Sequence, residues 1–194
     1  MDIRDQIDSH FIRHAEVLEL ARKSLAPAIM KCVEAMIHAL RSGNKILVMG
    51  NGGSAADAQH FAAELVGRFL RERRALPALS LTTDTSLLTA VGNDFGFDQI
   101  FKRQVEALAV SGDVVVGLST SGSSSNVILA LEAARAIGCT TVGLLGRDGG
   151  KITPLVDHNL TVPVQETPHI QEAHITIIHL LCDLIEQQLC NESL

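Results

Sequence analysis

The sequence predicts an α/β fold, a doubly wound five-stranded parallel sheet with a helical N-terminal extension. Short β-branched runs alternate with segments of helical periodicity along most of the chain. The runs are apolar on both faces, as strands are when helices cover both sides of a parallel sheet. No Pro/Gly/Ser-rich linker, composition shift or short repeat divides the chain, so we expect one domain over residues 1–194.

The N-terminal extension is predicted to be helical because its apolar residues recur at helical spacing from Ile7 to Leu40. Pro27 interrupts the pattern, which predicts two amphipathic helices ahead of the first strand. We expect residues 1–41 to pack against another subunit in an oligomer.

The remaining elements follow from the same alternation. The predicted strands lie at 45–50, 77–82, 113–119, 140–146 and 158–163. The predicted helices that separate and follow them lie at 54–70, 85–91, 98–110, 124–137 and 168–190.

Composition limits the classes of function. A net charge of -6, from 16 Lys+Arg against 22 Asp+Glu, provides no broad basic surface, so we expect no direct nucleic-acid partner. No apolar run approaches the ~18 residues of a membrane span. The N-terminus lacks a secretory signal and the four cysteines have no metal-site spacing, which predicts reduced thiols in the cytoplasm.

Two turns rich in glycine and serine follow predicted strands: GNGGSAAD at 50–57 and STSGSSSN at 119–126. In an open α/β sheet, ligands bind outside the carboxyl ends of the strands, where the chain turns into a helix. Glycine lets backbone amides approach an anion, and the helix N-terminus and serine hydroxyls offer further donors. The two turns therefore predict a site for a phosphate monoester.

Nucleotide sites fit the first turn less well. The chain has no GxxxxGK[ST] motif, which disfavours a P-loop. Gly50, Gly52 and Ala55 match the dinucleotide pattern G-x-G-x-x-A. However, the acidic residue after the second strand, Asp84, lies 32 positions beyond Gly52 instead of about 20.

Helix capping is the plainer explanation of the two turns. Ser54 and Asp57 fit a capping box, and we expect Ser54 to cap its helix. One cap satisfies only one or two backbone donors, which leaves most hydroxyls of residues 119–125 unexplained. A bound phosphate explains them better.

A second constellation lies on two predicted helices. His60 and Glu64 are four residues apart on one face, at the edge of an apolar stripe. Gln171 and His179, eight apart, point within a quarter-turn of each other on the last helix. These four could ligate a divalent ion such as zinc, or Glu64 and His179 could form an acid/base pair without metal.

Taken singly, the other histidines are expected to be structural: His10, His14, His38, His158, His169 and His174.

Two charged stretches have alternative explanations. Asn93 and Asp94, in a predicted loop, could bind sugar hydroxyls, or Asp94 and Asp98 could cap the following helix. The run RFLRERR at 68–74 is typical of a solvated face, apart from Arg68, which is spaced to pair with Glu64 or with a ligand.

Taken together, these motifs resemble the sugar isomerase (SIS) domain family and, within it, the phosphoheptose isomerases. The resemblance covers nearly the whole chain, to about Leu189. It depends on five motifs, which occur in this order: GNGGSAADAQHFAAEL, VGNDFGF, STSG, GRDGGK and IQEAHITIIH.

The resemblance implies a homotetramer with sites between subunits, one zinc ion per subunit, and conversion of sedoheptulose 7-phosphate to D-glycero-D-manno-heptose 7-phosphate for bacterial surface polysaccharide. It implies catalytic roles for Glu64 and His179. The implied metal ligands are His60, Glu64, Gln171 and His179. The implied substrate contacts are Asn51, Gly52, Gly53, Asn93, Asp94, Ser119, Thr120, Ser121, Ser124 and Gln171.

Two positions depart from the family's usual pattern. Ser123 stands where many members have asparagine, which changes little. The segment QETPHIQE at 165–172 has Pro168 and His169 where others often have an Asp-Arg or Ala-Arg pair, which removes a charged contact near the sugar.

Two non-enzymatic relatives offer alternatives. A protein that associates with the bacterial replication initiator resembles the chain through NKIL, SAADAQHFAA and LPALSLTTD, but that branch lacks the residues matching Glu64 and His179. A sugar-phosphate sensor would carry a DNA-binding segment, and we find no helix-turn-helix or basic segment. Both comparisons favour the enzyme.

Overall fold

The computed structural model describes residues 2–190, and the predicted fold class is confirmed. In this part of the chain the strands are β1 (Ile46–Gly50), β2 (Ala78–Ser80), β3 (Val114–Ser119), β4 (Thr140–Gly146) and β5 (His158–Val162). The helices are α1 (Ile3–Arg41), α2 (Gly53–Val66), α3 (Thr85–Phe95), α4 (Lys102–Leu108), α5 (Ser125–Ile137) and α6 (Thr167–Cys190), with short 3-10 turns at Phe97–Gln99 and Gly150–Leu155. None of these helices is both long and apolar enough to cross a bilayer.

The five described strands pair in parallel in the order β2-β1-β3-β4-β5. Alternate residues of the central strands point to opposite faces: Val48 packs with α1, α2 and α6, whereas Leu47 packs with α4 and α5. Strand order reverses between β1 and β3, so α2 and α5 leave the sheet on opposite sides. This switch point places the two glycine- and serine-rich turns next to each other, where α/β proteins bind ligands.

The N-terminal region is one continuous helix, so the prediction of two helices broken near Pro27 was wrong. Proline removes one helical hydrogen bond, at a cost of about 3 kcal/mol. Here Pro27 lies on the exposed face, and Leu25 and Ile29 on either side of it are buried in the core. Packing of both halves on the same core therefore keeps α1 intact.

The predicted helix 54–70 ends early, at Val66. Phe69, Leu70 and Arg71 instead donate their backbone N–H groups to the carboxylate of Glu186 on α6, over 2.7–2.9 Å. Arg73 also pairs with Glu186 at 3.0 Å, and its side chain is only 4% exposed. The interpretation of 68–74 as a solvated face holds for the exposed residues Arg68, Glu72 and Arg74, but it was wrong for Arg73. We call the contacts of this segment with Glu186 the buried clamp. Because the helix stops before Arg68, the expected spacing between Arg68 and Glu64 no longer applies.

Candidate active site

The first turn begins α2 through a backbone conformation that glycine favours. Gly52 has φ 58° and is the N-cap residue, so α2 starts at Gly53. No side chain caps this end of the helix. The expected capping box of Ser54 and Asp57 was therefore wrong: Ser54 lies inside the first helical turn and is buried.

Gln171 of α6 lies directly against this first turn. A Cβ atom added to Gly53 would come within 2.7 Å of the Gln171 amide nitrogen. Glycine at position 53 is thus what lets the amide reach the start of α2. The last helix and the glycine turn, far apart in sequence, meet at this point.

The second turn gathers serine hydroxyls at the end of β3. The Ser119 Oγ lies 2.9 Å from the Ser124 Oγ and 3.5 Å from the Ser121 Oγ. Ser124 occupies the N-cap position of α5, yet its side chain makes no cap hydrogen bond. Ordinary capping therefore does not account for these hydroxyls.

Basic residues that the sequence did not single out flank the serine turn. A cavity of about 460 Å³ is lined by Ser121, Arg147 and Lys151, among others. Arg147 has φ 60°, a left-handed conformation that is uncommon for residues other than glycine. The cavity thus combines hydroxyls with two cations and one carboxylate, that of Asp148, and the cations are suited to an anion.

Asn51 and Asn126 join the two turns. Each side-chain amide donates to the other's carbonyl, over 2.9 and 2.8 Å. Asn126 was not among the predicted site residues. Its position directly after the serine run was a signal, but the pairing with Asn51 depends on the adjacency of β1 and β3.

The structure brings His60, Glu64 and His179 together. The Nε2 atoms of the two histidines are 2.9 Å apart, and the His60 Nε2 lies 3.3 Å from a Glu64 carboxylate oxygen. The ring of Phe69 stacks on His179 with centroids 5.3 Å apart. Phe69 itself is held by Glu186, so the buried clamp supports the face of the His179 ring.

A separate group of possible metal ligands lies between α1 and α6. His10, His169 and Glu172 place one ligand atom each within 4.8 Å of one another. Among residues 2–190 it is the one group of three that meets this limit, so His60, Glu64 and His179 do not meet it as a set. His10, His14 and His169 are each hydrogen-bonded to Glu172, as expected of structural histidines, but the sequence did not show that they share one partner.

Asn93 and Asp94 lie on α3 and not in a loop, because the helix continues to Phe95. Their side chains hydrogen-bond to each other at 2.8 Å. The alternative role of Asp94 and Asp98 as caps was wrong, because α4 begins after Phe101 without a side-chain cap. All of α3 lies in the described part of the chain, and none of its residues is buried.

Comparison with known proteins agrees with this architecture. The sequence model of the SIS domain family matches residues 10–146. A phosphoheptose isomerase of Geotalea uraniireducens is 60% identical over 97% of both chains. Solved phosphoheptose isomerases from Neisseria gonorrhoeae and Francisella tularensis are 46% and 40% identical, with TM-scores of 0.91 and 0.93, and each covers 96% of this chain and 100% of its own.

The chain therefore belongs to the SIS domain family and, within it, to the phosphoheptose isomerases. This membership confirms an enzyme with a sugar-phosphate isomerase role. It also decides against the non-catalytic alternatives considered from the sequence.

Proposed function

We propose that the protein converts sedoheptulose 7-phosphate to D-glycero-D-manno-heptose 7-phosphate through an enediol, in the cytoplasm, for bacterial surface polysaccharide. The observation that carries the proposal is the convergence of His60, Glu64 and His179 beside the glycine turn that Gln171 contacts. Isomerisation of a 2-ketose needs a base at carbon and an acid at oxygen, and this group supplies both.

The phosphate is bound by the serine turn in this proposal. Ser119, Thr120, Ser121 and Ser124 surround the helix N-terminus of α5. The Ser121 and Ser124 hydroxyls lie within 3.5 Å of the Ser119 hydroxyl, which supports this assignment. The neighbouring Arg147 and Lys151 support it as well. The sugar hydroxyls would contact Asn51, Gly52 and Gly53, with Asn93 and Asp94 approaching from α3.

Glu64 is the proposed base. Its carboxylate removes a proton from C1 of the open-chain ketose and returns a proton to C2, with the enediol between the two steps. His179 gives a proton to O2 as the enediol forms and takes the proton from O1 as the aldehyde forms, so no atom or charge is left over. The hydrogen bond between His60 and His179 and the stacked Phe69 hold the His179 ring for this exchange.

The donor types also match a divalent ion, although His60, Glu64 and His179 would have to draw closer to hold one. Two imidazole nitrogens, a carboxylate oxygen and the Gln171 amide are the four proposed ligands, and this chemistry matches zinc. Zinc bound by His60, Glu64, Gln171 and His179 would supply Lewis-acid polarisation of the sugar carbonyl.

We further propose a homotetramer with sites between subunits. The N-terminal part of α1 leaves Ile3, Ile7 and Phe11 more than half exposed, and Phe95 and Phe97 around the end of α3 are similarly exposed. An uncovered apolar helix of this kind is typical of a protein interface. Sedimentation analysis that gives the mass of one chain would contradict this assembly.

Turnover of Glu64→Gln tests the catalytic proposal. With sedoheptulose 7-phosphate as substrate, we expect wild-type protein to form the aldose and Glu64→Gln to lose at least about 10³-fold in kcat. The matched control is Glu132→Gln on the exposed face of α5, which should keep full activity. Turnover by Glu64→Gln at the control's rate would remove Glu64 from the chemistry.

A further inference from the structure

Four side chains form a polar cluster that the proposed reaction does not use. His10 and His14 lie four residues apart on α1, and His169 and Glu172 lie three apart on the first turns of α6. These spacings place each pair on one helix face. The cluster joins two helices that are remote in sequence.

Three imidazoles face one carboxylate in this cluster. The His10 Nε2 is 3.1 Å from one oxygen of Glu172, while the Nδ1 atoms of His14 and His169 are each 2.8 Å from the other oxygen. The rings of His10 and His169 lie 4.5 Å apart between centroids. His169 is 7% exposed, and Glu172 keeps a third of its side-chain surface in contact with solvent.

An interhelical ion pair does not need so many partners. Arg13 of α1 already pairs with Glu166, the residue before α6, at 2.9 Å beside the cluster. The carboxylate of Glu172 instead faces imidazole nitrogens of His10, His14 and His169. A carboxylate flanked by imidazole nitrogens from two helices is a typical ligand set for a metal ion.

We propose that His10, His169 and Glu172 form a second metal site, for a divalent ion of the zinc class, with His14 as the hydrogen-bonded partner that orients the carboxylate. Two nitrogens and one carboxylate favour Zn²⁺, Co²⁺ or Ni²⁺ over Mg²⁺ or Ca²⁺, which prefer oxygen ligands. The ion displaces the protons that the ring nitrogens share with Glu172.

This second site would fix the start of α6 on α1. Glu172 directly follows Gln171, whose amide lies on the glycine turn. Metal in the second site therefore stabilises the helical turn that carries Gln171. The inference does not depend on the proposed reaction, because it concerns different ligands and a different pair of helices.

Counting bound Co²⁺ per chain tests the proposal. After removal of metal with a chelator, equilibrium dialysis of the wild type should give two equivalents if both sites bind, and His10→Ala should lose one of them. His10→Arg keeps a cation beside Glu172 but offers no metal ligand, so it should also lose one. The matched control, His38→Ala, changes an exposed histidine of the same helix and should bind as the wild type does.

The double variant His60→Ala/His179→Ala separates the two sites. It should retain one equivalent of Co²⁺, with the visible absorption of a nitrogen- and oxygen-bound ion, and saturating metal should raise its Tm by roughly 5 °C. Equal stoichiometry in wild type, His10→Ala and His10→Arg would overturn the second site. Wild type with one equivalent that His10→Ala abolishes would support it and would instead contradict zinc in the active site.

Discussion

Two clusters of histidine and glutamate share α6, and they differ in what surrounds them. In the first, His60 and His179 point their Nε2 atoms at each other, and Glu64 lies to one side. In the second, the imidazoles of His10, His14 and His169 all point at Glu172.

The difference lies in the neighbouring elements. The first cluster follows the glycine turn at the switch point of the sheet, the position at which α/β proteins bind ligands. The second joins the sides of two helices and has no such turn in it. Similar side chains therefore have different proposed roles, proton transfer in the first cluster and metal binding in the second.

Among these comparisons, the largest expected effect on activity comes from substitution of His179 in the first cluster. His179→Gln should lower kcat by about 10²–10⁴-fold, because proton transfer at oxygen loses its donor and acceptor. His158→Gln on β5 is the control for loss of a histidine. A kcat of His179→Gln within twofold of that of His158→Gln would contradict a catalytic role for His179.

The clamp behind the first cluster should dominate stability. Glu186→Gln should lower the free energy of unfolding by about 3 kcal/mol, because it leaves Arg73 buried without its charged partner. Asp183→Asn, on the same helix but half-exposed in its pair with Arg71, should cost less than about 1 kcal/mol. Urea unfolding at pH 7 measures both, and equal losses would contradict a special role for Glu186.

The contribution of Glu186 to the free energy of unfolding should depend on pH. Although burial raises the pKa of Glu186, hydrogen bonds from Leu70, Phe69 and Arg71 leave it below its usual value. A carboxyl whose folded-state pKa is lowered contributes stability above its unfolded pKa of about 4.3, and this contribution is lost as the pH falls through the folded value. Unfolding free energy should thus decline more steeply below about pH 4.3 in wild type than in Glu186→Gln; parallel curves would contradict this.

A methyl group at the glycine turn should separate function from folding. Gly53→Ala should displace the Gln171 amide, which is the flexible end of a side chain, so stability should change by less than about 1 kcal/mol while kcat falls about 10²-fold. Gly92→Ala on α3 has space for its Cβ and should change neither. Unaltered kinetics in Gly53→Ala would show that Gln171 need not lie on the turn.

The smallest expected effect concerns the serine turn. Ser124→Ala should raise KM about tenfold with little change in kcat, since one hydrogen bond to a charged phosphate is lost while Ser119 and Ser121 remain. Ser125→Ala, which removes an exposed hydroxyl from the same run outside the cavity beside this turn, is the control. An unchanged KM in Ser124→Ala would move the phosphate away from this hydroxyl.

Most of the fold followed from local pattern. The five predicted strands lie within one or two residues of those observed in the described chain, because apolar runs bounded by turn residues encode buried strands directly. Pro27 and the end of α2 were missed for one reason. In both places tertiary contacts, the core beneath α1 and the Glu186 carboxylate, outweighed local propensity.

The site was predictable where its residues share one turn or one helix. The pairs His60 with Glu64 and Gln171 with His179 are visible as helical spacings, and the resemblance linked the two helices. Contacts such as Asn51 with Asn126, or His10 with Glu172, 162 residues away, leave no such local signal. They depend on strand order and helix packing, which the pattern of a single sequence does not specify.

Solvent exchange during turnover tests the central claim, proton transfer by Glu64, most directly. Wild-type protein would be incubated with sedoheptulose 7-phosphate in D₂O, and deuterium at C2 of the aldose would be measured by NMR. Proton transfer through a carboxylate that exchanges with solvent in part predicts some deuterium at C2 in the wild-type product, and no product above background with Glu64→Gln. Aldose formed by Glu64→Gln at the wild-type rate would contradict the account.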